Sequence, residues 1–313
     1  MQNELYKSYL KSPYRSVKHS TYFKSYEYFF ERYRGKEITF IEVGVLGGGS
    51  LFMWRDYFGP KARIIGIDLN PNAKKWEKEG FEIFIGSQSD ENFLNEVVSK
   101  VGGIDVCLDD GGHTYEQQII TVESLLCAMN DGGIILVEDT HTSYMNGFGP
   151  KKYSFINYVK NKIDHINFRF NFRFNFKVKS KKTERRIWSI EIVESMVAFK
   201  IDKDASNEVS EITDNNGEDD SAIDFRYYDD SSKFSSHFLS LARKLKILKN
   251  IPFMYSLYGS FINFILGVKK FKAKKFFVCL PSPSPPSSTS TYISCSLLVP
   301  YMLYLSHFSI RCI

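Results

Sequence analysis

The sequence predicts an α/β fold with a doubly wound, mostly parallel sheet that ends in an antiparallel hairpin. Between residues 38 and 137, short β-branched apolar runs alternate with longer segments of helical periodicity. Glycines, carboxylates and a histidine follow several of these runs, at the strand ends where parallel sheets bind their ligands. At 313 residues, the chain has room for one large domain with appendages.

The predicted elements alternate along the chain. Strands are expected near 38–43, 63–68, 81–85, 104–108 and 133–137, with helices near 49–58, 71–79, 90–101 and 115–129. Another helix is expected over 151–166. Two apolar segments, 187–193 and 196–201, are separated by Glu194 and Ser195 and therefore predict the terminal hairpin.

An aromatic segment precedes the first strand. Residues 21–34 place Phe and Tyr at helical spacing, which predicts a core-packing helix, with a substrate lid as the alternative. The lone His19 before it is expected to be incidental, although it could reach a cleft from this arm.

The first strand runs into a glycine-rich turn formed by Gly44, Gly47, Gly48 and Gly49, and Ser50 stands near the start of the next helix. Glycines let the backbone approach a ligand closely and tolerate positive φ. The second strand ends at Asp68, roughly 20 residues on, where an acid can bind both hydroxyls of a ribose. The pattern predicts a nucleoside site without the G-x-G-x-x-G spacing of dinucleotide binders, and a tight turn without a ligand is the alternative.

Two acidic motifs follow the later strands. Asp110 ends the first apolar run with His113 close behind it, and Glu138 and Asp139 end the second. The carboxylates are hard oxygen ligands suited to Mg²⁺, and the histidine is a titratable base beside them. The alternative makes these acids helix caps or partners in core ion pairs. Two residues that follow the second motif could contact an acceptor or simply cap the strand, His141 and Tyr144.

Together, these motifs resemble the class I S-adenosylmethionine (SAM) methyltransferases. The motifs are Glu42-Val-Gly-x-x-Gly-Gly-Gly-Ser50, Asp68, Gly86-Ser-Gln-Ser-Asp90, Asp109-Asp-Gly-Gly-His113 and Glu138-Asp-Thr-His-Thr-Ser-Tyr144. Within that class they are similar to the metal-dependent sugar O-methyltransferases of macrolide tailoring, the mycinamicin and macrocin type, and to rhamnosyl O-methyltransferases. The similarity covers about residues 18–200.

The resemblance implies a Rossmann-like methyltransferase sheet with SAM and Mg²⁺ as cofactors. It implies that the metal is held by Asp110, Glu138 and Asp139, with His113 as the general base. On the cofactor side, it implies Glu42 under the methionine moiety, Asp68 on the ribose, Gln88 and Asp90 near the adenine or its rim, and Asp109 closing the pocket beside the metal.

The implied activity is Mg²⁺-assisted methylation of a sugar or glycan-like hydroxyl. A catechol-like or other small acceptor is the main alternative, because metal and SAM serve it equally well. A nicotinamide-dependent oxidoreductase would need a different glycine spacing and no trio of metal acids. A non-catalytic binding protein on the same fold would be expected to have lost His113 or one of the acids.

The predicted organisation has five parts. They are an N-terminal helical arm (1–37), the methyltransferase domain (38–201), an acidic mobile linker (202–239), a basic and apolar helical extension (240–275) and a tail (276–313) that is first Pro/Ser-rich, then apolar, and expected to be disordered. The extension is expected to pack on the domain, with peripheral contact to anionic lipid as the alternative.

Charge and cysteine content restrict the partners and the compartment. A net charge of +5 spread among many acids argues against a nucleic-acid binder and favours a small-molecule or glycan acceptor, with a homo-oligomer left open. The five cysteines lack framework spacing, and Cys107 and Cys127 are expected to be buried thiols. Because the N-terminus lacks the apolar core of a signal peptide, we expect a cytoplasmic protein, membrane-peripheral if the extension binds lipid.

Overall fold

Seven strands form one sheet in the computed structural model, which describes residues 3–169, 185–208, 211 and 213–218. In chain order they are β1 (Thr39–Val43), β2 (Arg63–Asp68), β3 (Glu82–Ile85), β4 (Ile104–Asp109), β5 (Met129–Val137), β6 (Ile187–Val193) and β7 (Met196–Ile201). Their order across the sheet is β3-β2-β1-β4-β5-β7-β6. The first five are parallel, and β7 runs antiparallel to both β5 and β6. The predicted fold class is confirmed.

Helices cover both faces of this sheet. They are α1 (Glu4–Lys11), α2 (Tyr22–Phe30), α3 (Gly49–Phe58), α4 (Glu91–Val101), α5 (Tyr115–Leu125), α6 (Phe155–Phe168) and α7 (Lys203–Asn207). One core joins the sheet to α1, α2 and α3, and a second joins its other face to α4, α5 and α6. The central strands are therefore apolar on both faces, as parallel strands in such sheets usually are.

The register of the central strands brings the sequence motifs to one edge of the sheet. Val43 at the end of β1 pairs with Ile67 of β2 and with Asp109 of β4, and Asp109 pairs with Val137 of β5. Because parallel strands end at the same edge, the residues that follow each of them meet there.

Two predicted helices differ from the structure. Residues Pro71–Glu79 form a 3₁₀-helix whose buried residues, Ala73 and Trp76, are three apart, the repeat of that helix. The helix predicted over 115–129 ends as α-helix at Leu125, and a 3₁₀ turn, Leu126–Ala128, leads into β5, which starts four residues before the predicted 133. The early part of β5 was missed because its residues 130–132 are exposed and carry no apolar pattern.

One further prediction was wrong. Cys127 is exposed, because Leu126 takes the inward position of the 3₁₀ turn, whereas Cys107 is buried as expected. The first residues of the predicted linker form α7, whose first turn is capped by the Asp202 carboxylate, 2.9 Å from the backbone nitrogen of Ala205.

Several predictions concern residues outside the described ranges. They are most of the acidic linker, the extension over 240–275 and the tail over 276–313. Among the helices that the structure does describe, none has the length and apolar character needed to cross a membrane.

Candidate active site

A cleft of about 810 Å³ opens at the carboxyl ends of β1, β2 and β4. Its size lies within the range of roughly 300–1,000 Å³ that is usual for small-molecule and cofactor sites. The lining combines the glycine turn 43–50 with Asp68 and residues 86–88, 110–113 and 139, and residues 15–17 of the N-terminal arm close one side.

The glycine turn is held by backbone contacts. Gly44 has φ +94°, and a Cβ there would lie 2.1 Å from the carbonyl oxygen of Asp110, so only glycine fits. Oδ2 of Asp68 accepts hydrogen bonds from the backbone N–H groups of Val45 and Leu46, both at 2.8 Å. The predicted ribose acid therefore lines the cleft and also shapes the turn.

Below the turn, Glu42 is fully buried. Its carboxylate accepts hydrogen bonds from Ser50 Oγ at 2.8 Å and from Trp54 Nε1 at 3.0 Å. Burial raises the pKa of Glu42 to about 7. Of the predicted cofactor residues here, Gly44, Gly47, Gly48 and Ser50 line the cleft, whereas Glu42 supports it from beneath.

Gln88 links the cleft to Asp109 behind it. Its Nε2 donates to Asp109 Oδ1 at 3.0 Å, and its Oε1 accepts from the backbone N–H of Gly112 at 2.9 Å. Burial raises the pKa of Asp109 to about 7. The predicted pair therefore holds the turn before His113 in place, with Gln88 facing the cleft.

Asp90 is placed differently from its predicted neighbours. Its Oδ1 accepts from the backbone N–H groups of Asn92 and Phe93, at 2.9 and 3.2 Å, and so caps the N-terminus of α4. It is not among the described residues that line the cleft.

Three predicted chemical groups converge at the mouth of the cleft. His113 Nε2 lies 3.3 Å from Asp139 Oδ2 and 3.8 Å from Asp110 Oδ1. One ligand atom from each of the three residues lies within 4.8 Å of the others, a spacing that could hold a metal ion. His113 and Asp139 both have left-handed φ, +57° and +53°, which is strained for side chains of this kind and is common at functional sites.

Glu138, the remaining predicted metal ligand, lies outside this group because side chains from the N-terminal arm bind it. Tyr26 donates its hydroxyl to Glu138 Oε1, and Lys18 Nζ lies 3.3 Å from the same oxygen. Burial raises the pKa of Glu138. Burial alone would lower the pKa of Lys18, but nearby carboxylates, Asp110 foremost and then Glu138, raise it above its ordinary value.

The arm also binds the other two acids. Lys18 donates to Asp110 Oδ2, and the Tyr22 hydroxyl donates to Asp139 Oδ1. The core-packing interpretation of the aromatic helix is confirmed, since Tyr22 and Tyr26 are buried, but their contacts with the acids were missed. Their spacing of four residues on one helix face was a signal, because a buried tyrosine hydroxyl usually finds a partner.

The predicted acceptor contacts lie on the rim. His141 and Tyr144 belong to a 3₁₀-helix, Thr140–Tyr144, and both are exposed. His141 Nδ1 is 2.5 Å from Ser195 Oγ, and the exposed His19 ring lies 6.4 Å from the His141 ring. Neither His141 nor Tyr144 is among the described cleft-lining residues, and their acceptor role stays a prediction.

Comparison with known proteins agrees with this geometry. Residues 41–140 match a family model described as a methyltransferase domain. The fold is that of a methyltransferase. The matched segment runs from β1 to the residue after Asp139, and so includes the glycine turn, the first acidic motif and both acids of the second.

Curated relatives narrow the similarity to sugar O-methyltransferases, as the resemblance implied. A tetracenomycin rhamnosyl 3'-O-methyltransferase of Streptomyces olivaceus is 36% identical over 131 residues, covering 40% of this chain and 33% of that protein. Demethylmacrocin O-methyltransferase of Streptomyces fradiae is 31% identical over 154 residues, covering 47% and 38%. The chain thus spans about a third of the length of the curated relatives that it matches.

Among solved structures, the MycE methyltransferase of the mycinamycin biosynthetic pathway, in complex with Mg and SAH, has a TM-score of 0.58. The two chains are 24% identical, and the similarity covers 66% of this chain and 55% of MycE. At this identity, the likeness concerns the fold.

Proposed function

We propose that this protein is a SAM-dependent, Mg²⁺-assisted O-methyltransferase that acts on a hydroxyl of a sugar or glycan-like acceptor. The observation that carries the proposal is the position of Asp110, His113 and Asp139 at the mouth of the glycine-turn cleft. Relatives named for methylation of rhamnosyl and macrocin groups, and the Mg and SAH bound to MycE, support the same cofactors and acceptor class.

The cleft fits SAM through its shape and its polar groups. Gly44 and Gly48 leave no space for a side chain, since a Cβ at Gly48 would lie 2.3 Å from the Trp76 ring, so at these positions the turn presents only backbone to the cleft. We expect Asp68 to bind the ribose and Gln88 to lie near the adenine. When bound, SAM supplies a methyl group already activated by its sulfonium, so the protein's task is to prepare the acceptor oxygen.

The acids fit Mg²⁺ through their donor set and charge. Carboxylate oxygens are the ligands that Mg²⁺ prefers. With Asp110, Glu138 and Asp139 ionised, Lys18, which pairs with the first two, would balance one of three negative charges, and a divalent ion would balance the other two. Asp110, Glu138 and Asp139 would hold the ion, whose charge would lower the pKa of the acceptor hydroxyl.

His113 is placed to take the proton from that hydroxyl. Its Nε2 faces the two acids that border the cleft, and Asp139 Oδ2 at 3.3 Å would stabilise the imidazolium that forms. A backbone contact fixes the residue, since Thr142 Oγ1 donates to the carbonyl oxygen of His113 at 3.1 Å. General-base catalysis of this kind contributes roughly 10²–10⁴ in rate.

Two measurements test the proposal. Calorimetry should show SAM or SAH binding in the micromolar range, about −8 kcal/mol, and no comparable binding of NADH. Transfer of labelled methyl from SAM should then be measured with a panel of rhamnosylated and catechol acceptors, in EDTA and after addition of Mg²⁺. We expect transfer to a sugar hydroxyl that EDTA abolishes and Mg²⁺ restores. Tight NADH binding without SAM binding, or full activity in EDTA, would contradict the proposal.

A further inference from the structure

Lys18 is a buried cation that contacts two members of the acid cluster, by which we mean Asp110, Glu138 and Asp139. Its side chain is only 3% exposed. Nζ donates to Asp110 Oδ2, lies 3.3 and 3.5 Å from the two carboxylate oxygens of Glu138, and stands 5.6 Å from the centre of the Tyr26 ring. Burying an ammonium group is costly unless it is well paired, and here it is paired twice.

Lys18 and Tyr22 occupy some of the carboxylate oxygens of the acid cluster and leave others facing His113. Oδ2 of Asp110 accepts a hydrogen bond from Lys18, and its Oδ1 faces His113. Oδ1 of Asp139 accepts a hydrogen bond from the Tyr22 hydroxyl, and its Oδ2 faces the same imidazole. Both oxygens of Glu138 face Lys18. An ion bound jointly by all three acids would therefore need the oxygens that the ammonium now occupies.

We propose that Lys18 is the cation that occupies the acid cluster when no metal is bound, and that it competes with Mg²⁺ for Asp110 and Glu138. The inference rests on the proposed function, since it assumes that the cluster binds a metal. Lys18 belongs to the arm segment that also contributes Arg15, Ser16 and Val17 to the cofactor cleft. Competition at the acids therefore links metal binding to the part of the arm that borders the cofactor.

A purely structural ion pair makes the opposite prediction. If Lys18 only held the acids in a binding-competent arrangement, its removal would leave Mg²⁺ affinity unchanged or weaken it. If Lys18 competes, its removal deletes a positive charge within hydrogen-bonding distance of the ligands, and the affinity for a second cation must rise. The direction of the change separates the two roles.

The experiment is a calorimetric titration of the chelator-treated full chain with MgCl₂. Lys18→Met, which keeps the aliphatic length and removes the charge, should bind Mg²⁺ at least about tenfold more tightly than the wild type. Lys18→Arg should return the affinity towards the wild-type value. The matched control is Lys11→Met, which removes a lysine of the same arm that pairs with Asp56 at the surface and should leave Mg²⁺ affinity unchanged.

A second measurement covers the case in which Lys18→Met does not fold without metal. Competition predicts that saturating Mg²⁺ speeds backbone hydrogen exchange over residues 14–20 of the wild-type protein, because the arm loses its anchor. Unchanged or slower exchange there would overturn the inference, as would unchanged or weaker Mg²⁺ binding by a folded Lys18→Met. If wild type and variant both fail to bind Mg²⁺, the metal role in the proposed function fails too, whereas equal binding by both removes only the role of Lys18.

Discussion

The two sides of the cleft are held together by different kinds of contact. On the cofactor side, the main hydrogen bonds go to backbone groups that are relatively close in sequence. On the acid side, the contacts join side chains from distant segments of the chain. Asp68 holds the glycine turn through N–H groups 22 and 23 residues away. Lys18, Tyr22 and Tyr26 reach the acids across 92 to 120 residues.

This difference implies that the two sides can be damaged separately. The cofactor side depends on turn geometry, which a local motif encodes. The acid side depends on the arm packing against the ends of β4 and β5, so its charge balance is a product of the fold. Four substitutions test whether binding of the cofactor and reaction at the acids are separable in this way.

The largest effect is expected at His113. His113→Ala should lower the rate of methyl transfer by roughly 10²–10⁴, because the acceptor proton loses its base. SAH affinity, measured by calorimetry, should stay close to that of the wild type. His19→Ala is the matched control, since it removes an exposed arm imidazole and should leave the rate nearly unchanged. An unimpaired His113→Ala enzyme would remove His113 from the mechanism.

The next effect is a pH dependence that originates at Glu42. Its pKa rises from 4.5 to about 7 on burial, so the folded state binds this proton more tightly than the unfolded state. The resulting stability is fully present below about pH 4.5 and is lost as the pH rises towards about 7, a change of about 3 kcal/mol.

Urea denaturation of the chelated, cofactor-free protein across this pH range measures the effect. Glu42→Gln cannot titrate, and its free energy of unfolding should fall by correspondingly less over the same window. Parallel pH profiles for the variant and the wild type would show that Glu42 does not titrate as described.

A smaller effect is expected for cofactor affinity at Asp68. Asp68→Ala should remove a net charge-assisted interaction with the ribose worth roughly 1.5–3 kcal/mol, which corresponds to SAH binding weakened about tenfold to a hundredfold. Asp68→Asn keeps one acceptor oxygen for the N–H groups of Val45 and Leu46 and should lose less. Wild-type SAH affinity in Asp68→Ala would show that this acid serves the turn alone.

The smallest effect is expected at Asp90, which separates a cofactor contact from a helix cap. Asp90→Ala should lower the free energy of unfolding by about 1 kcal/mol, because α4 loses its N-cap. SAH affinity should not change. A marked loss of SAH affinity with unaltered stability would show that Asp90 contacts the cofactor, as the resemblance implies.

Much of the site could be predicted from the sequence, because the residues that follow parallel strands lie at one edge of the sheet. Gly44, Asp68, Asp110 and Asp139 each follow or end a strand of the predicted sheet, and the structure brings them together. Asp90 caps α4 in the structure, and the sequence did not separate this role from a cofactor contact because both fit an acid that stands before a helix. Cys127 was misplaced because a 3₁₀ turn changes which residue faces inward.

By itself, the sequence determined the alternating α/β order, the glycine turn and the identity of the acids, since these depend on local periodicity and on residue chemistry. Only the tertiary structure decided that Glu138 faces Lys18 and Tyr26 and that the Tyr22 hydroxyl donates to Asp139. Those contacts depend on where the arm packs. The apolar face of α2 directs that packing, but the sequence pattern does not say which polar groups the packing brings within reach.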